Sequence, residues 1–418
     1  MHIFSLQIQF LCKFSSCIQS AFYIYYTQAI FKGYLSFLRR NLIMKKMFAF
    51  ALAAMMLLSM SIPALAKEDT IKIGGLAPLT GPYAVYGNAV KDGADLYIAQ
   101  LNAQGGIDGK KVELLWEDHE ADNSQAQKIY FDYLDDGCAA ILGDVLTGQC
   151  RIIADLAMYD GIPMVTASGT AFDITEGKEN VFRTCFIDDF QGVVMANFAA
   201  QQGYKKVAIL YGVDSAYSTG LVAAFEQQAK EVGVEIVAKE AANFTDIDFK
   251  AQLTNIKNAA PDAVFLPFYG AEASLILTQA NAIGLNTVYM GADGISDIVP
   301  QIADKSLLTQ ITYADHFAFD SEDEAVVKFI ADFTAQYGVV PTVSFSATGY
   351  DAALVICKAI KAAGSTDFDD VTAALKALNT VGVSGNITFD ENNNPIKSAF
   401  VMTFDAEGGK HFVAKVDP

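Results

Sequence analysis

The sequence predicts an α/β fold made of two similar blocks, each a mostly parallel sheet flanked by helices. Two observations carry this. Short apolar or β-branched runs alternate with longer stretches of helical period along most of the chain, and the pattern comes as two series of βα units, about 70–187 and 188–315. The expected strands are 70–76 (TIKIGGL), 111–117 (KVELLWE), 138–143 (CAAILG), 162–167 (IPMVTA), 205–211 (KKVAILY), 234–239 (VEIVAK), 262–267 (DAVFLP) and 287–291 (TVYMG). Each is short and apolar enough to lie inside a sheet covered on both faces. Helices fill the intervals. Between 271 and 284, Leu275, Ile276, Gln279, Ala280 and Ile283 share one face and Gly284 supplies the stop. Helical stretches at 321–337 and 345–378 follow, and then strand-like runs at 383–389, 398–404 and 410–415.

Charge divides the chain before any motif does. All 48 acidic residues lie from Glu68 onward, and six of the 29 basic ones lie within residues 1–66, so residues 67–418 carry a net charge of −25. Such a surface repels phosphate backbones and anionic lipid, so no nucleic-acid partner is expected. A small zwitterionic or neutral partner fits, and the expected state is a monomer. From Met44 the sequence runs through Lys45 and Lys46 into an apolar stretch, a Pro63 breaker and Ala64-Leu65-Ala66, the three regions of a signal peptide with cleavage after Ala66. Residues 1–43 read either as sequence upstream of the true start at Met44 or as an extra span, and are set aside from the fold. Residues 67–418 suffice for two domains at roughly 150 residues each.

Catalytic signatures are missing from the sequence. It has no G-x-x-x-x-G-K-[ST], H-E-x-x-H or G-x-S-x-G, and the first strand leads into GGLAPLTGPYAVYG, where Pro78 and Pro82 make a rigid turn in place of a pyrophosphate cradle. His119, His316 and His411 are far apart, and Cys138, Cys150, Cys185 and Cys357 form no C-x-x-C pair. The expectation is a binding protein with no enzyme activity, no cofactor and no metal.

PLTGPYAVYGNAVKDGADL, LNAQGGIDGKKVELLWEDHEAD, AAILGDVLTG, IPMVTASGTAFDIT, VFRTCFIDDFQG and VYMGADGISD, in that order over about 70–415, resemble the periplasmic binding proteins for leucine, isoleucine and valine that serve ABC importers. The resemblance implies a two-lobed type I periplasmic-binding fold with a three-crossing hinge near 187, 316 and 384. The N-terminal lobe would combine 67–187 with 317–383, and the other lobe 188–316 with 384–418. It also implies capture of an amino acid, branched-chain or otherwise apolar, for delivery to a membrane permease in the periplasm.

Candidate ligand residues follow from the two readings together. Thr147, Ser168, Gly169 and Thr170 lie where strands 138–143 and 162–167 run into helices, a place where N–H groups and hydroxyls converge on a carboxylate or merely cap the helix. By the resemblance, Thr147 and Thr170 hold the ligand carboxylate, and Asp188 and Asp293 grip its ammonium, Asp293 being one methylene shorter than the family's Glu. Tyr86, Tyr217 and Tyr269 close over the ligand. Leu146 stands where the family has a disulfide cysteine lining the side-chain pocket, so that disulfide is absent.

Overall fold

The computed structural model describes residues 70–418. The leader expected over 1–66 lies outside the described residues. The first sheet has five parallel strands, β1 (Ile71–Ala77), β2 (Val112–Asp118), β3 (Ile141–Leu142), β4 (Met164–Thr166) and β5 (Val181–Arg183), in the order 2-1-3-4-5. Helices α1 (Ala84–Ala103), α2 (Asn123–Asp135) and α3 (Thr147–Asp160) connect the first four. Alternation along β1 sends Ile71, Ile73 and Ala77 to one core and Leu76 to the other, against α2 and α3.

The second sheet continues the design. Strands β6 (Lys206–Gly212), β7 (Glu235–Ala242), β8 (Ala263–Phe265), β9 (Val288–Gly291) and β10 (Ile311–Asp315) are parallel where they pair. They alternate with α4 (Asp188–Gln201), α5 (Ala216–Val232), α6 (Lys250–Ala259) and α7 (Gly270–Ala282). Val207 and Ile209 face α4 and α5, while Ala208 and Leu210 face α6 and α7. Fully burying one such Val, Ile or Leu contributes about 1.5–3 kcal/mol, so these two-sided cores hold each sheet between its helices.

After β10 the chain returns to the first lobe as α8 (Glu324–Tyr337), α9 (Phe345–Ala363) and α10 (Phe368–Lys376), then the hairpin β11 (Asn379–Gly382) and β12 (Gly385–Thr388). The single helical stretch expected over 345–378 is two helices, because Gly364 ends α9 in the left-handed conformation at φ 63°. Helix α9 lies along α1 at close range. A Cβ on Gly93 would strike the Ser346 carbonyl, and one on Gly349 the Val90 carbonyl. The chain then joins the second sheet as β13 (Ala399–Phe404) and β14 (Lys410–Val416), both antiparallel to their neighbours, giving the order 14-13-10-9-8-6-7.

The crossing expected near 384 falls later. Ile387 and Phe389 pack in the first lobe's core, and Asn393 Nδ2 donates to the carbonyls of Lys178, Glu179 and Val181. The passage to the second sheet is made at Lys397, a buried ammonium that donates to the Thr184 carbonyl at 2.9 Å and to Ser384 Oγ, and lies 4.0 Å from the buried Asp351 carboxylate. The apolar side chains of 384–389 decide its lobe; the strand-like pattern alone did not reveal which sheet they would join. Strands β5 and β10 were not expected either, because each is short and ends in a charged residue, Arg183 or Asp315.

All four cysteines of the described residues are buried and free, a pairing question the sequence left open. Burial pushes the Cys138 thiol up to about 11 and the Cys185 thiol up to about 12, so neither is reactive at neutral pH. Among the described residues no helix is long and apolar enough to cross a membrane, and no cluster of His, Cys, Asp or Glu suits a metal ion.

Candidate functional site

The carboxyl ends of both sheets converge on one cleft, where open α/β sheets place their ligands. On the second-lobe side, Asp293 opens a 3-10 turn (Asp293–Ile295) directly after β9 and is 1 % exposed. Its Oδ1 accepts from the Tyr217 hydroxyl at 3.0 Å, Gln191 Nε2 at 3.1 Å and the Gly294 N–H at 2.9 Å; its Oδ2 lies 3.0 Å from His316 Nε2. Gln191 also spans to Asp188 Oδ1 at 3.4 Å, so one amide separates two buried carboxylates. Asp188 is the first residue of α4, makes no capping bond there, and leaves its Oδ2 buried without a hydrogen-bond partner. Burial, and then the Asp293 charge, push its carboxyl well above the usual range, against the pull of the neighbouring Thr170 hydroxyl and Arg183.

Aromatic rings roof this pair. Tyr269 stacks on Tyr217 with centroids 5.0 Å apart, and Tyr83 and Tyr86 from the first lobe reach it at 5.4 and 5.6 Å. The Tyr86 hydroxyl crosses the cleft to Asp297 and the Gly294 carbonyl and accepts from the Gly270 N–H at 3.1 Å; the Tyr83 hydroxyl donates to Glu272 Oε1 at 3.1 Å. Burial raises the Tyr86, Tyr217 and Tyr269 hydroxyls, which keeps them protonated and able to donate.

On the first-lobe side, Leu146 precedes α3 as its N-cap and offers it no side-chain bond, so the helix opens at Thr147 uncapped, with Thr147 only 3 % exposed. Its first-turn N–H groups and positive dipole end are therefore available to an anion. Thr170 is fully buried and its Oγ1 has no partner besides the neighbouring Asp188 carboxylate, while its carbonyl accepts from the Asp188 N–H at 2.9 Å. Ser168 is used differently. Its hydroxyl donates to the Val145 carbonyl at 2.8 Å, and the N–H groups of Ser168 and Gly169 donate to Thr166 Oγ1 at 3.3 and 2.9 Å. These two residues fasten the loop after β4 to the loop after β3, and Gly169 further supports it by accepting from Arg183 through its carbonyl.

A family model described as periplasmic binding protein matches residues 70–410. The chain belongs to the periplasmic binding protein family. Among its relatives, the leucine-, isoleucine-, valine-, threonine- and alanine-binding protein of Pseudomonas aeruginosa is 31% identical over 329 residues, 78% of this chain and 87% of that one. The leucine-binding protein of Thermotoga maritima superposes with a TM-score of 0.78 at 30% identity, covering 83% of this chain and 99% of that one. The branched-chain amino acid binding protein of Streptococcus pneumoniae, solved with isoleucine, gives 0.78 at 29% identity, covering 84% and 100%.

In this periplasmic binding protein, several site residues escaped the sequence reading. Arg183 is fully buried, and its guanidinium donates to the carbonyls of Gly169 and Ala171 at 2.8 Å and to Thr175 Oγ1 at 2.9 Å. It thereby fixes the loop that carries Thr170. His119 and Asp144 form a buried ion pair at 2.8 Å behind α3. Burial opposes the imidazolium most strongly, yet the charge and hydrogen bond of Asp144, together with the Asp118 charge, sum to more and push the His119 pKa up. Asp144 Oδ1 also accepts from the Val145 N–H, which sets the approach to Thr147. Gln191 and His316 complete the surroundings of Asp293. A lone Arg in an apolar strand and a His beside a lobe passage are signals that sequence reading can use.

Proposed function

We propose that the chain captures an L-amino acid with an apolar side chain between its lobes and delivers it to the membrane permease of an ABC importer. The ligand carboxylate docks on Thr147, the uncapped start of α3 and Thr170. Its ammonium sits in the field of the acidic pair Asp188 and Asp293, with Asp188 Oδ2 the carboxylate oxygen left for direct contact, and Tyr86, Tyr217 and Tyr269 close the cleft, with Leu146 beside the carboxylate subsite. The observation that carries this reading is a buried hydroxyl beside a buried carboxylate, Thr170 and Asp188, whose Oγ1 and Oδ2 atoms have no partner apart from each other. A zwitterion, offering a carboxylate to the first and an ammonium to the second, is the ligand that satisfies both at once. The names of the relatives support the same ligand class.

The lobes act as 70–187 with 317–396 against 188–316 with 397–418, and the exported form begins at Lys67 in the periplasm. N-terminal sequencing of periplasmic material tests the start; a first residue upstream of Met44 would overturn the leader assignment. Thermal unfolding with L-amino acids and the matching α-keto acids tests the ligand. At about 100 times its dissociation constant a ligand stabilises by roughly 2.7 kcal/mol. Leucine, isoleucine or valine raises the melting temperature and the keto acids raise it less; equal shifts would move the assignment to small carboxylates.

A further inference from the structure

His316 stands directly after β10, where the chain leaves the second lobe, and is 1 % exposed. Its ring lies against Phe186 with centroids 3.7 Å apart and faces Phe345 at 5.9 Å, so both position and tilt are set by packing. Nδ1 has no partner, and the ring is best satisfied with its proton on Nε2, donating to Asp293 Oδ2. Tyr217, Gln191 and the Gly294 N–H take the other oxygen. Four protein donors thus converge on Asp293, three of them crowding Oδ1 and the His316 ring N–H alone on Oδ2. Asp188 differs. Its Oδ1 receives one long bond from Gln191, and the Thr170 hydroxyl is the one other donor beside the carboxylate.

We infer that His316 is a specificity-determining residue: it takes on Asp293 Oδ2 the position that a ligand ammonium would occupy, which lowers the site's demand for an ammonium and leaves Asp188 Oδ2 as its direct contact. The inference rests on the amino-acid reading of the cleft. Its consequence is chemical. Where an unaccompanied second carboxylate would reject any ligand lacking a positive charge, a carboxylate already supplied with four donors tolerates one. Ligands that keep the carboxylate and apolar body but lack the ammonium lose the Asp188 contact and little else.

The test compares leucine with 4-methylpentanoate, and phenylalanine with 3-phenylpropanoate, by titration calorimetry on the full exported chain. His316→Phe keeps an aromatic ring between Phe186 and Phe345 and removes the donor, leaving Asp293 Oδ2 as a buried acceptor that an ammonium can satisfy. The preference for the amino acid over its des-amino partner then rises about tenfold or more. His316→Gln restores an N–H donor and keeps the parent preference. Independently, Asp293→Asn weakens amino-acid binding at least about tenfold less than Asp188→Asn does, because only Asp188 makes the direct contact. An unchanged or smaller preference in His316→Phe, or equal losses in the two Asn variants, overturns the inference while leaving the amino-acid reading in place. If the parent protein binds none of the four compounds nor any other L-amino acid, that reading fails and the inference falls with it.

Discussion

On the first-lobe face of the cleft Thr170 Oγ1 is buried with only the Asp188 carboxylate beside it and α3 begins without a cap, whereas on the second-lobe face every oxygen of Asp293 is engaged by Tyr217, Gln191, Gly294 or His316. Both faces are equally buried, so exposure does not separate them. They differ in what they leave undone. Unsatisfied buried polar atoms cost roughly 1–3 kcal/mol each, and the first lobe carries that cost at the positions a ligand carboxylate would relieve. The second lobe has been wired internally and presents rings and a fixed charge. Between them sits Asp188, which belongs to a lobe passage and shares the first face's incompleteness.

The sharpest way to break this contrast is Asp188→Ala. Losing one partner of a desolvated charge pair costs about 2–5 kcal/mol, so calorimetry with leucine is expected to register a loss of one to several orders of magnitude. A loss below about threefold would mean that the unpaired oxygen is not where the ammonium goes. A pH comparison comes next. Burial pushes Glu272 up to about 7 from its ordinary 4.5, so between those values the folded form holds a proton that the unfolded chain has released. Stability contributed by Glu272 is therefore highest at low pH and falls as pH rises through that window, by on the order of 3 kcal/mol in all. Glu272→Gln titrates nothing, and its melting temperature is expected to gain on the parent's between pH 5 and 8; parallel curves would refute the assignment.

Thr170→Val tests the first face alone. A neutral donor to a charged group contributes roughly 1.5–3 kcal/mol, so leucine binding is expected to weaken about tenfold or more, a larger free-energy loss than the free protein suffers in thermal unfolding. Reversal of those two effects would make Thr170 a structural residue. The smallest effect is Tyr83→Phe, which removes only the bond across the cleft to Glu272. About 0.5–1.5 kcal/mol of closure is at stake, read as a small rise in dissociation constant with every ligand alike.

How much of this was legible in the sequence follows from where the determining atoms lie. Alternating apolar runs revealed the strands from β1 to β9 except β5, because their side chains meet the core locally. Strand β5 is three residues long and ends in the buried Arg183, and β10 ends in Asp315; both patterns read as loop until the partners of those charges are known. The later third passage depended on Ile387 finding the first lobe's core, a contact distant in sequence. Thr147, Thr170, Asp188 and Asp293 were placed through the resemblance. Ser168 was grouped with them although its hydroxyl is committed to Val145. His316 and Gln191 were missed because their importance is mutual: each matters through Asp293, 23 residues from the first and 102 from the second.

The hydrogen bonds that Tyr83 and Tyr86 make to Glu272 and Asp297 join lobe to lobe and touch no candidate carboxylate or ammonium contact. Neither bond uses an atom assigned to the ligand, so both are open to any occupant that lets the lobes meet as they do here. A closure term common to all occupants raises affinity for each by the same factor and cancels in any ratio between two of them. The tyrosine bonds are thus a generic amplifier, and discrimination is left to the few atoms at Thr170, Asp188 and His316. A carrier built this way changes its menu by substitution at three positions while keeping its grip.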